Sequence, residues 1–562
     1  MKLKLFLALF LAVTVFLGAQ TIHDPNNELY KDIDIWLVQG YVTEFLPMIR
    51  PYPAPLIIKI LDQVIENGDT AAQERAERYK TFLEPKSRFI HPGVKILGEG
   101  NDEEKSVNAS AFLEGVFIIN PALSLSYNLS FFALTDGKDG EVFNVPGTYS
   151  PYPDLEDDQA DIGPFRILQN WTNIIAVGTS NVYFQAGLSR SSFGPFYDNG
   201  IVIGPQAPRA GHFSFVFWDP VWSYEMLFQT LVATDDYGKG QFTSKYNIIH
   251  MLNLRLLDNF EFGFTQTLVY GERIDLLYFV PFSYLFGAQS INGFLDNAFM
   301  GLNFRWKIIN SLQLKGQVYI DDFSFNGLLD GNPYFKAAGQ LGASWAPRSS
   351  ALFKLDFDYT AVMPYMYTHW TEPWYNRYNG ISSPSDPQKR PGNFDDKNRP
   401  RVGNYLNYTH MGRNLGPDLE PNSDRFSVRS TWRILKNIEL NVSAYLTRHG
   451  NASKDKEYLE EELHDGSIFD AGTTDPWLTD GQDGRENIDE DRQYYKEVKF
   501  LTQSYLETLL GGTFGVTWTI PTSFGTFKLL GDYGIQYGWN RGLINDNNGF
   551  DHFWSIGGMW SW

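Results

Sequence analysis

Residues 365–378, YMYTHWTEPWYNRY, crowd aromatic rings and polar tips into one short stretch. Tyr365, Tyr367, Trp370, Trp374, Tyr375 and Tyr378 offer ring faces that suit the C–H surfaces of a sugar. Arg377, with His369, Glu372 and Asn376 beside it, offers donors and acceptors for hydroxyl groups. Tyr and Trp join an apolar body to a polar tip, so the same equipment also serves a loop packing over the rim of a larger scaffold. The set Tyr365, Tyr367, Trp370, Trp374, Tyr375, Arg377 and Tyr378 is the candidate carbohydrate site, with rim packing as the competing reading.

A second set is basic. Arg305, Lys307, Lys315, Lys354 and Arg433 fall on the polar parity of alternating segments. If those segments enclose a space, the cations form a patch near one rim that favours anions. Alternatively they pair with carboxylates on neighbouring strands, Asp356 and Asp358 among them, as polar barrel walls do. Bond-breaking chemistry has less support: there is no G-x-S-x-G, no H-E-x-x-H and no phosphate-binding glycine loop. His212, His250, His369 and His410 lack ligand spacing, and the absence of cysteine removes thiolate ligands and nucleophiles. TDGQDGRENIDEDR, residues 479–492, clusters oxygen ligands but puts Gly484 where the fifth-position ligand of an EF-hand belongs. The expectation is a non-enzyme with no resident metal or cofactor, whose acidic loops at most bridge divalent cations.

The elements that must position these residues are legible in the periodicity. The 562 residues are 16% aromatic and contain 50 glycines. After residue 17 no apolar run approaches the ~18 residues that a spanning helix needs. MKLKLFLALFLAVTVFLGA has the basic start, apolar run and small-residue end of a secretory signal cut after Ala19, so the expected divisions are a signal over 1–19 and an exported remainder. The net charge of −20 is concentrated: residues 449–499 carry −9 and residues 135–164 carry −7. Such blocks read as solvated loops, and the acidity excludes a nucleic-acid partner, which needs a basic footprint.

Residues 20–89 read as a small helical domain. Leu29, Ile33, Trp36 and Leu37 share a helical face that stops at Gly40; Leu56, Ile57, Ile60, Leu61, Val64 and Ile65 share another that stops at Gly68. Thr70 and Gln73 stand at capping-box spacing before a third. PMIRPYPAP links the first two as a rigid connector.

From residue 90 the period becomes two. IELNVSAYLT alternates Ile438, Leu440, Val442, Ala444 and Leu446 with Glu439, Asn441, Ser443, Tyr445 and Thr447, and ALFKLDFDYTA does the same. Tight connections near 119–122, 179–182, 219–221, 257–260, 309–311, 346–350, 435–437 and 521–525 alternate with longer ones, the longest over 135–164, 362–423 and 449–499. Nine long and eight short connections give eighteen strands with the loops sorted to opposite rims, as a transmembrane barrel requires and a sandwich does not. The fold class is therefore an all-β transmembrane barrel over 90–562 with a helical domain on the periplasmic side. Trp554, Trp560 and Trp562 share one face of the last strand, which closes the barrel against a first strand near 91–99 and puts its aromatics in the interfacial girdle.

Several stretches resemble the Wzi-like family of capsule-assembly outer-membrane proteins. ELYKDIDIWLVQGYVTEFLPMIRPYP is similar to that family's helical opening, and FGPFYDNGIVIGPQAPRAGHFSFVF (193–217) to its Gly-Pro stretch leading into a strand. LDNAFMGLNFRW (295–306), GQVYIDDF (316–323) and NYTHMGRNLGPDLEPNSDRFSV (407–428) are similar to later signatures. This sequence departs from the pattern at RSSFGP and in the acidic segment 449–499. The resemblance implies an eighteen-stranded barrel, a helical domain at its periplasmic mouth, and polysaccharide bound at the cell surface of a diderm bacterium. It also implies recognition of terminal aromatics by the outer-membrane assembly machinery. The expected partners are outer-membrane lipid, surface polysaccharide and that machinery, with the protein a monomer. A porin or substrate channel, and an adhesin acting through the long loops, are the alternative functions.

Overall fold

The computed structural model describes residues 24–561 apart from 84–89, 102–104, 121, 136–159, 205, 233–243, 272, 292–295, 324–334, 349–352, 369–405, 412, 436, 451–499 and 504. The signal segment, Trp562 and most of the acidic block at 449–499 lie outside those residues.

Helix α1 (Glu28–Gln39) starts where the Asn27 side chain accepts the Leu29 N–H at 2.9 Å, and it stops at Gly40. Gly40 has φ +74, and its N–H returns to the Leu37 carbonyl. Helix α2 (Ala54–Asn67) follows prolines that cost no helical hydrogen bond in the first turn. Helix α3 (Thr70–Leu83) corrects the capping-box expectation: the cap is Asp69, whose carboxylate accepts the Ala72 N–H at 2.9 Å. Gln73 reaches instead to the Ile65 carbonyl.

The strands follow in antiparallel succession. The first half comprises β1 (His91–Gly100), β2 (Lys105–Asn120), β3 (Leu123–Thr135), β4 (Phe165–Gly178), β5 (Val182–Ser189), β6 (Ala210–Trp218), β7 (Trp222–Leu231), β8 (Lys245–Leu257) and β9 (Phe260–Gly271). The second half comprises β10 (Asn297–Ile309), β11 (Leu312–Phe323), β12 (Phe335–Trp345), β13 (Phe353–Val362), β14 (Ser423–Leu435), β15 (Ile438–Gly450), β16 (Leu506–Thr522), β17 (Gly525–Trp539) and β18 (Gly549–Ser561). β18 pairs with β1, placing Trp560 opposite Val94 and Trp554 opposite Gly100, and this closes an eighteen-stranded barrel.

The eight tight connections fall where the sequence places them. The β1–β2 connection, expected among the long ones, spans only 101–104. Along each wall the parity holds. Trp306, Trp345, Trp432 and Trp518 line up on the outer face at the tight-turn ends, 42–47% exposed, with Leu302, Tyr533 and Ile556 above them. A predominantly apolar exterior with tryptophans at its edge is a surface for lipid. No helix among the described residues is long and apolar enough to cross a membrane.

Closure depends on turns that tolerate no extra atom. Gly178 ends β4 at φ +136, and a Cβ there would sit 2.1 Å from the Val182 carbonyl oxygen. Gly178→Ala is expected to destabilise the β4–β5 turn by more than about 1 kcal/mol. Heat-modifiable electrophoretic mobility checks this: the folded band should disappear at a lower temperature than for the native chain.

Candidate functional site

The interior of the barrel is packed from both ends. From the tight-turn rim, α1 enters with its C-terminus held by turns: the Ser311 N–H donates to the Val38 carbonyl at 2.8 Å and Arg348 Nε to the Gln39 carbonyl at 2.7 Å. Trp36 and Ile33 are fully buried, which stabilises each by roughly 1.5–3 kcal/mol relative to exposure. The connector 41–53 then runs up the lumen. Glu225 on β7 accepts the Met48 N–H on both oxygens, at 2.9 and 3.0 Å, and Arg305 on β10 donates to the Leu46 carbonyl at 2.8 Å.

From the other end, residues 190–209 fold inward. Ile49–Arg50 pairs with Ser192–Phe193 as a two-stranded ladder in the lumen, so the N-terminal segment and this connection meet there. The Arg50 guanidinium lies 3.3 Å from the Tyr197 ring centroid, with Asp34 as its ion partner. Residues 363–368 and 406–422 pack on top. Tyr367 Oη donates to the Ile201 carbonyl at 2.7 Å and Tyr408 Oη to the Val202 carbonyl at 2.8 Å. The Tyr367 and Tyr408 rings stack at 5.6 Å, beside Phe299 and Tyr319. All these pieces belong to one hydrophobic core.

The basic set supplies much of the docking. Arg433 on β14 pairs with Asp32 of α1 and, at 2.6 Å, with Glu439. Asp32 is fully buried and also meets Arg75 and, at 2.7 Å, the Tyr79 hydroxyl. Burial opposes ionisation of Asp32, but Arg433 and Arg75 prevail and hold its carboxyl below the usual carboxylate range. Arg305 pairs with Glu261 at 2.6 Å, Lys354 with Asp356 at 3.0 Å, and Lys315 lies 4.6 Å from the Phe196 ring centroid. Lys307 is half-buried near Glu44, Leu46 and Arg305. Three of the five, Arg305, Lys354 and Arg433, thus stand in ion pairs within a packed interior, and Arg305 and Arg433 also hold the N-terminal segment.

Tyr365 and Tyr367 are at most 1% exposed, so their rings are closed to a ligand and serve packing. Trp370, Trp374, Tyr375, Arg377 and Tyr378 lie outside the described residues. Trp554 and Trp560 stand on the outward face of β18, as their parity predicts. No cluster of three or more potential metal ligands occurs among the described residues. Sequence reasoning missed Asp32, Arg50 and Glu225 as anchors. Asp32 carried a signal, since it sits among Leu29, Ile33 and Trp36 on the apolar helical face and a buried carboxylate there needs a cationic partner.

The packing is eccentric. Inward residues of β5–β14 are mostly buried, whereas Glu114, Asn128, Asn441, Thr517 and Gln536 on β2, β3 and β15–β17 stay half-exposed.

A closed, even-stranded antiparallel barrel with a lipid-facing exterior and a polar wall around an inserted N-terminal segment defines the class: an outer-membrane β-barrel. Among solved structures the chain is similar to Wzi, described as a carbohydrate-binding barrel and outer membrane protein involved in group 1 capsule assembly in Escherichia coli. The match has a TM-score of 0.54 and 11% identity, and covers 96% of this chain and 99% of that one. The outer membrane protein OprD from Pseudomonas aeruginosa matches with a TM-score of 0.40 at 8% identity, over 84% of this chain and 92% of that one. The P. aeruginosa outer membrane protein opdK matches with the same score and identity, over 84% and 98%. No protein-family model and no curated protein sequence matches the chain.

Proposed function

We propose that this protein binds surface polysaccharide and helps to attach or assemble capsule or exopolysaccharide at the outer membrane, without catalysis. The observation that carries the reading is the filled lumen: a barrel that packs its own N-terminus and two long connections into one core does its work at its rims. Similarity to a carbohydrate-binding barrel supports the ligand class, and the aromatic residues from Trp370 to Tyr378 follow directly on the lumen-anchored Thr368. In this reading the long connections face the cell surface, the helices face the periplasm, and the protein works as a monomer delivered by the outer-membrane assembly machinery.

The test pairs two measurements on the full-length protein. In planar bilayers it should show little or no steady conductance. Immobilised, it should bind purified surface polysaccharide of its source bacterium, and Trp370→Ala and Trp374→Ala should each weaken binding roughly tenfold, about 1.4 kcal/mol. Binding that both variants leave unchanged sinks the assigned site. The channel reading rests on a specific observation, the half-exposed polar wall of β2, β3 and β15–β17. Large steady conductance from the intact chain selects it, and the acidic Glu114, Asp532 and Asp551 would then make the current cation-selective.

A further inference from the structure

The connection between β9 and β10 runs against the pattern of the others. Residues 276–295 contain no charged side chain. The described part, a 3₁₀ turn (Leu276–Phe279) and a short helix (Leu285–Ile291), neither projects from the rim nor enters the lumen. It lies on the outside of the wall. Tyr224, Met226, Ile248, Leu268 and Tyr270, all on the outward parity of β7–β9, form a separate buried cluster with Tyr278, Leu285 and Ala288 of this segment. Phe282 packs 4.4 Å from Tyr224 and 6.0 Å from Trp222 between ring centroids. Trp222 is the first residue of β7 after a tight turn, so the segment starts at the long-connection rim and reaches the level of the opposite girdle.

Its free side is apolar. Ile274, Leu276, Val280, Phe282, Tyr284 and Ile291 are 50–78% exposed and continue the lipid-facing band of the strands beside them. Strands tilted by ~40° rise ~2.5 Å per residue, so an apolar band ~25 Å tall spans about ten residues of each strand. A segment running from Gly271 to the level of Trp222 is inside that band. Irregular backbone in hydrocarbon must satisfy its own polar groups, and the wall is built for this. Gln266, a polar residue on the outward parity of β9, accepts the Leu285 N–H at 2.9 Å and donates to the Ser283 carbonyl at 3.4 Å. At the rim, Asp296 accepts from the Tyr278 hydroxyl at 2.5 Å and from Arg273 at 2.8 Å.

We propose that residues 273–291 form a clamp embedded in the bilayer against the β6–β10 wall, with lipid acyl chains as its partner. The continuity of its exposed face with the wall band, the lack of charge from residue 276 onward, with Arg273 and Asp275 kept at the rim, and the supply of backbone partners from Gln266 all fit hydrocarbon, and none of them needs a protein neighbour. The proposal stands on the barrel fold and not on polysaccharide binding.

The chain has no cysteine, so single labels can be read without background. Leu276→Cys and Ile291→Cys, spin-labelled in dilute phospholipid vesicles, should show oxygen collision rates like those of Leu341→Cys on the open wall. Their collision with an aqueous nickel chelate should be several-fold below that of Asn545→Cys at the rim. Nickel access equal to that at residue 545 would place the segment in water. Shielding from both reagents would place it under protein, a second copy or another partner. Either result overturns the proposal. Gln266→Leu should raise the mobility of both labels, and unchanged mobility would remove Gln266 from the argument for a built lipid-phase clamp.

Discussion

Asp32→Ala opens the barrel: that is the expected result of removing a carboxylate from the junction of α1, α3 and β14. Asp32 is fully buried between Arg433 and Arg75. Its loss removes the ion-pair partner of Arg75, leaving Glu28 as the carboxylate in electrostatic reach, and leaves Arg433 paired with Glu439. Breaking a buried ion pair from one side costs about 3–5 kcal/mol. The cost is borne by the contact between the N-terminal segment and the wall, because the strand ladder does not involve Asp32. Planar-bilayer recordings should therefore show higher conductance in Asp32→Ala than in the native chain, while the barrel itself still runs as a folded band. Glu44→Ala is the control. Its pair with Lys59, 3.0 Å apart and about a third exposed, lies at the surface and is worth about 0–1 kcal/mol, so it should leave the barrel silent. The pH dependence has a definite sign. The folded carboxyl titrates below its ordinary value near 3.8, so its contribution is fully present above that value. It is lost as pH falls through the lowered one. Acid should open the native protein only below about pH 4, and Asp32→Ala should be open already at neutral pH. A silent Asp32→Ala would mean that the connector contacts of Glu225 and Arg305 hold the segment alone.

The wall was legible in the sequence because period-two alternation is dictated by the pleat and by lipid on one side. Lys354, Asp356 and Asp358 could only face inward if Phe353, Leu355 and Phe357 faced out, and they do. The helices were legible for the same kind of reason, with Gly40 and Gly68 as stops. What the pattern could not supply was the destination of irregular segments. PMIRPYPAP reads as a rigid link, yet it is the part of the N-terminus that pairs with Ser192–Phe193 in the lumen, because Arg50 needs Asp34 and the Tyr197 ring. Residues 271–294 read as one more aromatic connection, and only tertiary packing puts residues 273–291 on the outer wall. YMYTHWTEPWYNRY reads equally as a sugar platform or as rim packing, and its two described tyrosines, Tyr365 and Tyr367, are buried. Aromatic density alone does not distinguish a ring that stacks on sugar from one that stacks on Tyr408.

The burial of Tyr367 has a measurable consequence. Its ring is fully buried against Tyr408, Phe299 and Tyr319, and its hydroxyl holds the Ile201 carbonyl of the inward connection. Tyr367→Ala removes a large ring from a packed interior, which costs about 3–5 kcal/mol through lost transfer energy and the cavity left behind. Tyr367→Phe keeps the ring and leaves the Ile201 carbonyl without this donor, for about 1–3 kcal/mol. The two together separate packing from anchoring. Hydrogen exchange should quicken across residues 199–204 in both variants if the hydroxyl fixes the connection, and only in the alanine variant if the stack does. The same pair bears on ligand contact. A buried ring is unable to touch a polysaccharide in the rim, so Tyr367→Phe should bind it as the native chain does, whereas Trp370→Ala should not. Equal loss of binding in Tyr367→Phe and Trp370→Ala would mean that the inward connection shapes the site from beneath. The filled lumen would then be part of recognition as well as its support.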